Sequence, residues 1–312
     1  MSATLQTEFR KQARLMGSAF EFVVVGDDSS EIYLTHAIDE VIRLEALLTE
    51  FSKTSQTAMI NDNAGLKPVR VDDEVFTLIQ RCKKISSLSQ GAFDITAAPL
   101  KKLYNFKGGD FKFPDQSDIN RTLTLVGTDK IEMHNDQHVF LKNKGMRLTF
   151  AGVGKGYAAD KVKALLQQKG VESGVINASG DLTVWGKRAD GSPWKVGIAD
   201  PNNKSKVLLS IPLENASLAT SGDYEQYFEM NGKRYSHTID PKTGIPVSNV
   251  KSVTVVSPSA ELSDALATAV FVMGPDVGMN FIEQLPQVHA LMITAENKIL
   301  ATSHMKFNTT GM

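Results

Sequence analysis

The chain has 312 residues, and its 34 lysines and arginines nearly balance 35 aspartates and glutamates, for a formal net charge of −1. Apolar residues make up 42% and charged residues 22%, enough for a full hydrophobic core and no basic field to gather nucleic acid or anionic lipid. A single cysteine, Cys82, excludes an internal disulfide and a Cys-rich metal site.

The chain opens MSATLQTEFRKQARLMGSAFEFVVVG. Its charges at Glu8, Arg10, Lys11 and Arg14 leave no room for a signal peptide's apolar core of about 7–15 residues. No uninterrupted apolar run approaches the roughly 20 residues that span a bilayer. The expectation is a cytoplasmic protein without a membrane partner, with residues 1–13 as an N-terminal extension of one domain covering 1–312. Phe20–Val25 reads as a strand. His36 to Phe51, with Ile38, Val41, Ile42, Leu44, Leu47 and Leu48, reads as an amphipathic helix, and a second covers about Glu74–Ser89 and stops at Gly91. Cys82 falls within that second helix as a half-buried packing residue.

Arg147–Phe150 reads as a short strand and Tyr157–Lys169 as a helix ended by Gly170. Strand patterns follow at Gly174–Asn177, Leu182–Trp185, Trp194–Ala199, Val207–Ile211 and Val250–Val256. Asp264–Met273 reads as a helix capped by Ser263, and a helix–strand pair closes the chain near 275–302. Meandering strands with segregated helices indicate an α+β fold rather than a doubly wound parallel sheet.

Four clusters could carry chemistry. Ala151-Gly152-Val153-Gly154-Lys155-Gly156-Tyr157 joins a strand to a helix, where glycines let backbone N–H groups approach an anion. It is neither a Walker loop nor the dinucleotide fingerprint, so phosphate binding and a plain tight connection both stay open. In Ser263-Asp264-Ala265-Leu266-Ala267-Thr268, Asp264 and Thr268 share one helix face. A carboxylate beside a hydroxyl suits Mg2+; the alternative is an acid that only complements the helix dipole. His237 precedes the turn Asp240-Pro241-Lys242-Thr243-Gly244, either as a proton acceptor or as a structural histidine. Gly91-Ala92-Phe93-Asp94-Ile95-Thr96, with Pro99-Leu100, is an ordinary helix exit by itself.

Taken in order, these segments resemble the ApbE-type FAD:protein FMN transferases. The likeness runs from Met16-Gly17-Ser18 through Phe51-Ser52, Gly91–Thr96, Lys155–Asp160 and Asn177-Ala178-Ser179-Gly180-Asp181-Leu182. It is strongest in Thr220-Ser221-Gly222-Asp223-Tyr224 and Ser236-His237-Thr238-Ile239-Asp240-Pro241-Lys242-Thr243-Gly244, and it closes with Asp264–Thr268 and Phe271-Val272-Met273-Gly274. It covers about residues 14–300.

The resemblance implies two intertwined α/β halves with meandering antiparallel sheets and FAD, as substrate, in the cleft between them. It implies that Met16, Phe51, Ala92, Phe93 and Asp94 line the flavin or adenosine site and that Lys155 and Ile239 contact FAD. Asp264 and Thr268 would hold Mg2+ with an oxygen of Gly152, and His237 would be the base for an acceptor hydroxyl. The partner would be a protein carrying a flavinylation motif similar to Asp-x-x-Ser/Gly-Ala-Thr, modified on Thr or Ser. One departure concerns Leu148-Thr149-Phe150-Ala151, where the family usually has Leu-Asp-Leu-Gly; Thr149 would then serve through its hydroxyl, or metal and FAD would bind more weakly.

Overall fold

Strand β2 (Ser18–Gly26) shows how the sequence builds two cores at once. Side chains alternate across a sheet, so Phe20, Phe22 and Val24 enter one apolar cluster while Val23 and Val25 enter another. The same alternation recurs downstream: Ile176, Val253 and Val255 join the first cluster, whereas Leu182, Val184, Leu218 and Leu291 join the second. A sheet buried on both faces therefore forms the centre of the molecule.

The structure is a computed structural model that describes residues 6–106, 113–223 and 226–309. Residues 1–5 of the expected extension, and Tyr224 of the family motif, lie outside the described residues. The first half contains β1 (Thr7–Leu15), β2, α1 (Glu31–Leu48), α2 (Gln56–Asp62), β3 (Val69–Arg70), α3 (Asp73–Leu88), α4 (Ala98–Lys101), α5 (Gln116–Leu123), β4 (Ile131–His134) and β5 (His138–Leu141). Then come α6 (Gly154–Gln168), β6 (Gly174–Ala178), β7 (Asp181–Trp185), β8 (Trp194–Asp200), β9 (Asn203–Leu213) and β10 (Ser217–Gly222). The chain ends with β11 (Tyr227–Met230), β12 (Lys233–Ser236), β13 (Val250–Ser257), α7 (Ala260–Glu283), β14 (His289–Thr294), β15 (Ile299–Ala301) and β16 (Asn308–Thr309).

Among the described residues, eight strands form the main sheet in the order β1-β2-β6-β7-β10-β13-β14-β15, antiparallel throughout. Spatial order follows chain order, so the sheet is a meander with segments inserted between successive strands. Helices α1, α3, α6 and α7 cover the first core, and the β8–β9 sheet covers the second. The mixed α/β architecture with antiparallel sheets is the fold class read from the sequence.

Several boundaries differ from the sequence reading. Residues 7–13 are no appendage: β1 pairs along the whole of β2, from Thr7 opposite Gly26 to Leu15 opposite Ser18. Arg147–Phe150 belongs to no regular element and joins no ladder among the described residues. Its polar groups are met otherwise: the Asn61 side chain accepts from Leu148 N at 2.6 Å and donates to Leu148 O at 3.0 Å, and Thr149 N donates to the Ile95 carbonyl at 2.8 Å. Cys82 is wholly rather than half buried, and burial pushes its thiol well above the ordinary range.

Helix α7 starts at Ala260, capped by Ser259, whose hydroxyl accepts from Leu262 N at 3.2 Å. Ser263 is instead buried one turn inside, hydrogen-bonded to Ser257 at 2.8 Å. The helix continues past Met273 through a break at Gly274 (φ +78°) before Pro275. It is 24 residues long, and an 18-residue stretch of it reaches a mean hydropathy of 1.4, long and apolar enough to cross a membrane by length and composition, which no uninterrupted run in the sequence suggested. Here Leu266, Val270 and Phe271 are fully buried against the sheet and α6, as in a core helix.

Candidate active site

The meander brings one end of the main sheet into use. The β6–β7 turn, the start of β7 at Asp181 and the end of β10 at Gly222 all lie there, because Ala178 pairs with Asp181 and Leu218 with Leu182. Around that end is a cavity of about 180 Å3. Its walls come from Ala92–Ile95, the Thr149–Lys155 loop, Asp181, Thr220–Gly222, His237–Ile239, and Asp264 with Thr268 on α7. Segments up to 176 positions apart, from Ala92 to Thr268, thus meet in one place.

Most of the residues singled out in the sequence line this cavity: Ala92, Phe93, Asp94, Thr149, Gly152, Lys155, His237, Ile239, Asp264 and Thr268. Two do not. Met16 is half-buried at the β1–β2 turn, where its N–H donates to Glu45 at 2.8 Å, and Phe51 is 90% exposed. The Met16 turn lies at the same end of the main sheet, since Phe20 pairs with Ala178 and Ala178 with Asp181, but neither side chain is part of the cavity wall.

Each wall has a local cause. Gly91 leaves helix α3 with φ +83°, and Asp94 then closes the turn: one carboxylate oxygen accepts from Thr96 N at 2.7 Å and Thr96 Oγ1 at 2.5 Å, the other from Thr128 N at 3.2 Å. Burial raises the Asp94 carboxyl above the ordinary range, opposed by these same hydrogen bonds. Asp94 therefore holds the loop while it lines the site. His237 follows β12. Its ring Nδ1 is 3.2 Å from the Gln226 carbonyl, and its backbone N–H donates to the same oxygen at 2.9 Å. The turn beyond it is closed by Asp240, which accepts from Lys242 N and from Thr243 Oγ1, both at 2.9 Å. The turn expected from Asp-Pro-Lys-Thr-Gly is thus self-contained, leaving His237 on the cavity wall.

The charged centre is a trio. Lys155, on the first turn of α6, makes a direct ion pair with Asp181, which is 2% exposed. Asp264 is buried nearby and accepts from Gly156 N at 3.2 Å. Burial and then repulsion from Asp181 push the Asp264 carboxyl well above the usual range, against the pull of Lys155 and the Gly156 N–H. Two carboxyl groups thus face one ammonium. Thr268 completes this corner: its hydroxyl is 3.5 Å from Ser221 Oγ, and a Cβ placed on Gly152 would lie 3.1 Å from it.

The Asp264 carboxyl group, the Thr268 hydroxyl and the Gly152 backbone line one corner of the cavity, a set of oxygen-bearing groups that fits Mg2+ completed by water or substrate oxygens. Among the described residues, no three His, Cys, Asp or Glu side chains gather as a metal site. Such an ion would therefore lean on substrate oxygens rather than a protein cage. Thr149 lines the cavity, its hydroxyl accepting from Ala151 N at 3.3 Å. Asp181, Lys101, Thr220 and Ser221 also line it without having been given a role from sequence. An aspartate opening a strand after Ser179-Gly180, directly beside a core strand, was the available signal for Asp181.

The protein-family model described as the ApbE family matches residues 16–292. The chain is 33% identical over 294 residues to the FAD:protein FMN transferase of Klebsiella pneumoniae, covering 93% of this chain and 90% of that protein. It is 31% identical over 287 residues to the protein of that name from Treponema pallidum, covering 86% and 79%. Among solved structures, the ApbE protein of Thermotoga maritima superposes with a TM-score of 0.88 at 28% identity, covering 95% of this chain and 97% of that one. The apo flavinyl transferase ApbE of Pseudomonas stutzeri gives 0.85 at 28% identity, covering 97% and 96%. A family match across most of the chain, joined to a shared fold and a cavity built from the family's own motifs, shows that the chain belongs to the ApbE family.

Proposed function

We propose that this protein is an FAD:protein FMN transferase, which cleaves FAD at its pyrophosphate, attaches FMN through a phosphoester to a Thr or Ser of an acceptor protein, and releases AMP. The observation that carries this reading is the convergence of His237, the Lys155–Asp181 pair and the Gly152–Asp264–Thr268 corner on one cavity wall system. A hydroxyl nucleophile needs a base, and a pyrophosphate needs cationic and N–H partners.

In this mechanism the acceptor Oγ attacks the FMN phosphorus, its proton passes to His237, and the bond from that phosphorus to the AMP oxygen breaks. The Gln226 carbonyl, within 3.2 Å of Nδ1, favours the tautomer with the proton on Nδ1, in which Nε2 is the basic nitrogen. Lys155, held in place by Asp181, presents its ammonium to phosphate oxygens, assisted by N–H groups at the start of α6. Mg2+ would be held by Asp264, Thr268 and an oxygen of Gly152, and when bound it would draw off charge building on the phosphate oxygens.

A cavity of about 180 Å3 is below the roughly 300–1,000 Å3 of typical ligand pockets. It suits the reacting pyrophosphate rather than the whole dinucleotide. The adjoining groove of about 530 Å3 shares Asp94 and Pro241 with it and offers room for the remainder.

The test is to incubate the protein with FAD, Mg2+ and a candidate acceptor or cell extract, and to look for a fluorescent flavin band on a denaturing gel. A Mg2+-dependent band supports transfer. AMP formation with no labelled protein would replace transfer by FAD hydrolysis, and bound FAD with neither product would leave a flavin carrier.

A further inference from the structure

Three contacts join the glycine loop and α6 to α7, and they are evenly spaced. Gly152 lies against Thr268, since a Cβ on the glycine would come 3.1 Å from Thr268 Oγ1. Four residues on, Gly156 donates its N–H to Asp264 Oδ2 at 3.2 Å. Four further on, Asp160 accepts the N–H of Ala260 on one carboxylate oxygen and that of Glu261 on the other, both at 2.9 Å. Positions rise 152, 156, 160 on one side while they fall 268, 264, 260 on the other. This is one antiparallel row with a residue from each helical turn.

The three contacts differ in what they can specify. At Gly156 a Cβ would sit 2.2 Å from the Ala260 carbonyl oxygen and 2.9 Å from Asp264 Cβ. The glycine therefore allows the helices to close, and apart from its single 3.2 Å N–H bond to Asp264 its bare backbone does not choose where along the axis they stop. Apolar contacts between α6 and α7 are likewise non-directional. Asp160 is directional: two oxygens meet two consecutive N–H groups at the positive end of a helix, in charge-assisted bonds.

We infer that Asp160 is a positioning residue that fixes the register of α6 against α7 and thereby places Gly152, Asp264 and Thr268 for a divalent cation. The inference rests on the cation corner given under Proposed function. Mg2+ demands oxygen distances of about 2.0–2.1 Å, whereas one helical residue is a rise of about 1.5 Å. Even a fraction of that slip at the Asp160 end would carry Asp264 and Thr268 out of reach together. Asp160 touches neither substrate nor ion; it acts through the helix.

Ser259 supplies the control, because it caps the same end of α7 without linking it to α6. Mn2+ serves as the probe, without and with FAD, followed by electron paramagnetic resonance in wild type, Asp160→Asn, Asp160→Ala and Ser259→Ala, with melting temperature recorded for each. The expected result is a rise of about tenfold or more in the Mn2+ dissociation constant for Asp160→Ala. A smaller rise is expected for Asp160→Asn, which keeps the shape and one acceptor and guards against a variant that fails to fold. Ser259→Ala should move Mn2+ affinity by less than about twofold while still lowering the melting temperature. Unchanged Mn2+ affinity in Asp160→Ala, or an equal shift in Ser259→Ala, would overturn the assignment and leave the cation corner intact. A wild type that binds no Mn2+ either alone or with FAD present would remove the cation corner and this inference with it.

Discussion

The side-chain amide of Asn61 hydrogen-bonds both backbone polar groups of Leu148, accepting from its N–H at 2.6 Å and donating to its carbonyl at 3.0 Å. A buried side chain thereby plays the part of a neighbouring strand for the segment that leads into the Gly152 loop. Replacing it with alanine would leave a buried donor and a buried acceptor unmet, so Asn61→Ala should cost about 2–4 kcal/mol. Denaturant unfolding checks this. A change under about 0.5 kcal/mol would mean that water or a local shift satisfies Leu148 instead.

His237→Gly is expected to abolish flavin transfer while FAD still binds, because the ring lines the cavity while the adjoining turn is closed by Asp240 rather than by the histidine. Rates of acceptor labelling and the quenching of FAD fluorescence separate the two effects. Labelling at the wild-type rate would exclude His237 as the base.

Asp264 carries opposite consequences with and without metal. Burial and Asp181 disfavour its charged form, so Asp264→Asn should raise the melting temperature of the metal-free protein. The same variant should lose most of the stabilisation that Mg2+ gives wild type and require at least about tenfold more Mg2+ for transfer. Differential scanning with and without Mg2+ reads both. An unchanged Mg2+ response would remove Asp264 from the ligand set.

Gly156→Ala tests the close approach of α6 and α7. Alanine is a better helix former by about 1 kcal/mol, but its Cβ would meet the Ala260 carbonyl oxygen at 2.2 Å. Backbone must move to admit it, and the net loss is expected at about 1–3 kcal/mol. A stabilised variant in denaturant unfolding would show that the helices have slack.

Glu74 gives the fold an acid-side dependence. Burial would raise its carboxyl, but the hydrogen bonds from Arg43, Tyr157 and Lys161 prevail and lower it from 4.5 to about 2. A depressed carboxylate stabilises the fold fully above its ordinary value of 4.5, and that contribution fades as pH falls towards 2. The Arg43 and Lys161 pairs are partly exposed and screened; the Tyr157 hydroxyl at 2.7 Å is the more sheltered partner. Glu74→Gln should therefore cost about 1–1.5 kcal/mol at pH 7, and the gap to wild type should close between pH 4.5 and 2. A gap independent of pH would assign the loss to packing.

Much of this protein could be read along the chain. Helices α1, α3 and α6 and strands β2, β6, β7, β8 and β13 follow from apolar spacing and from glycine stops, because those signals act over a few residues. The motif residues around Gly152, His237 and Asp264 were legible for the same reason: each is a local pattern of turn, loop or helix face. Other features depended on partners far away in sequence. Arg147–Phe150 has a strand's composition, yet its hydrogen bonds go to Asn61 and Ile95, so no ladder forms. Ser263 has a cap's composition, yet α7 begins a turn sooner, at Ala260, where Ser259 caps it and Asp160, 100 positions before Ala260, accepts its N–H. Asp181 shows the limit most clearly. Nothing within its own strand marks it as half of an ion pair with Lys155, since only the antiparallel meander places the start of β7 beside the first turn of α6. Sequence determined where the chain turns, coils and buries its apolar faces; the sheet order decided which buried charges meet, because electrostatic pairing depends on distance in space and not along the chain.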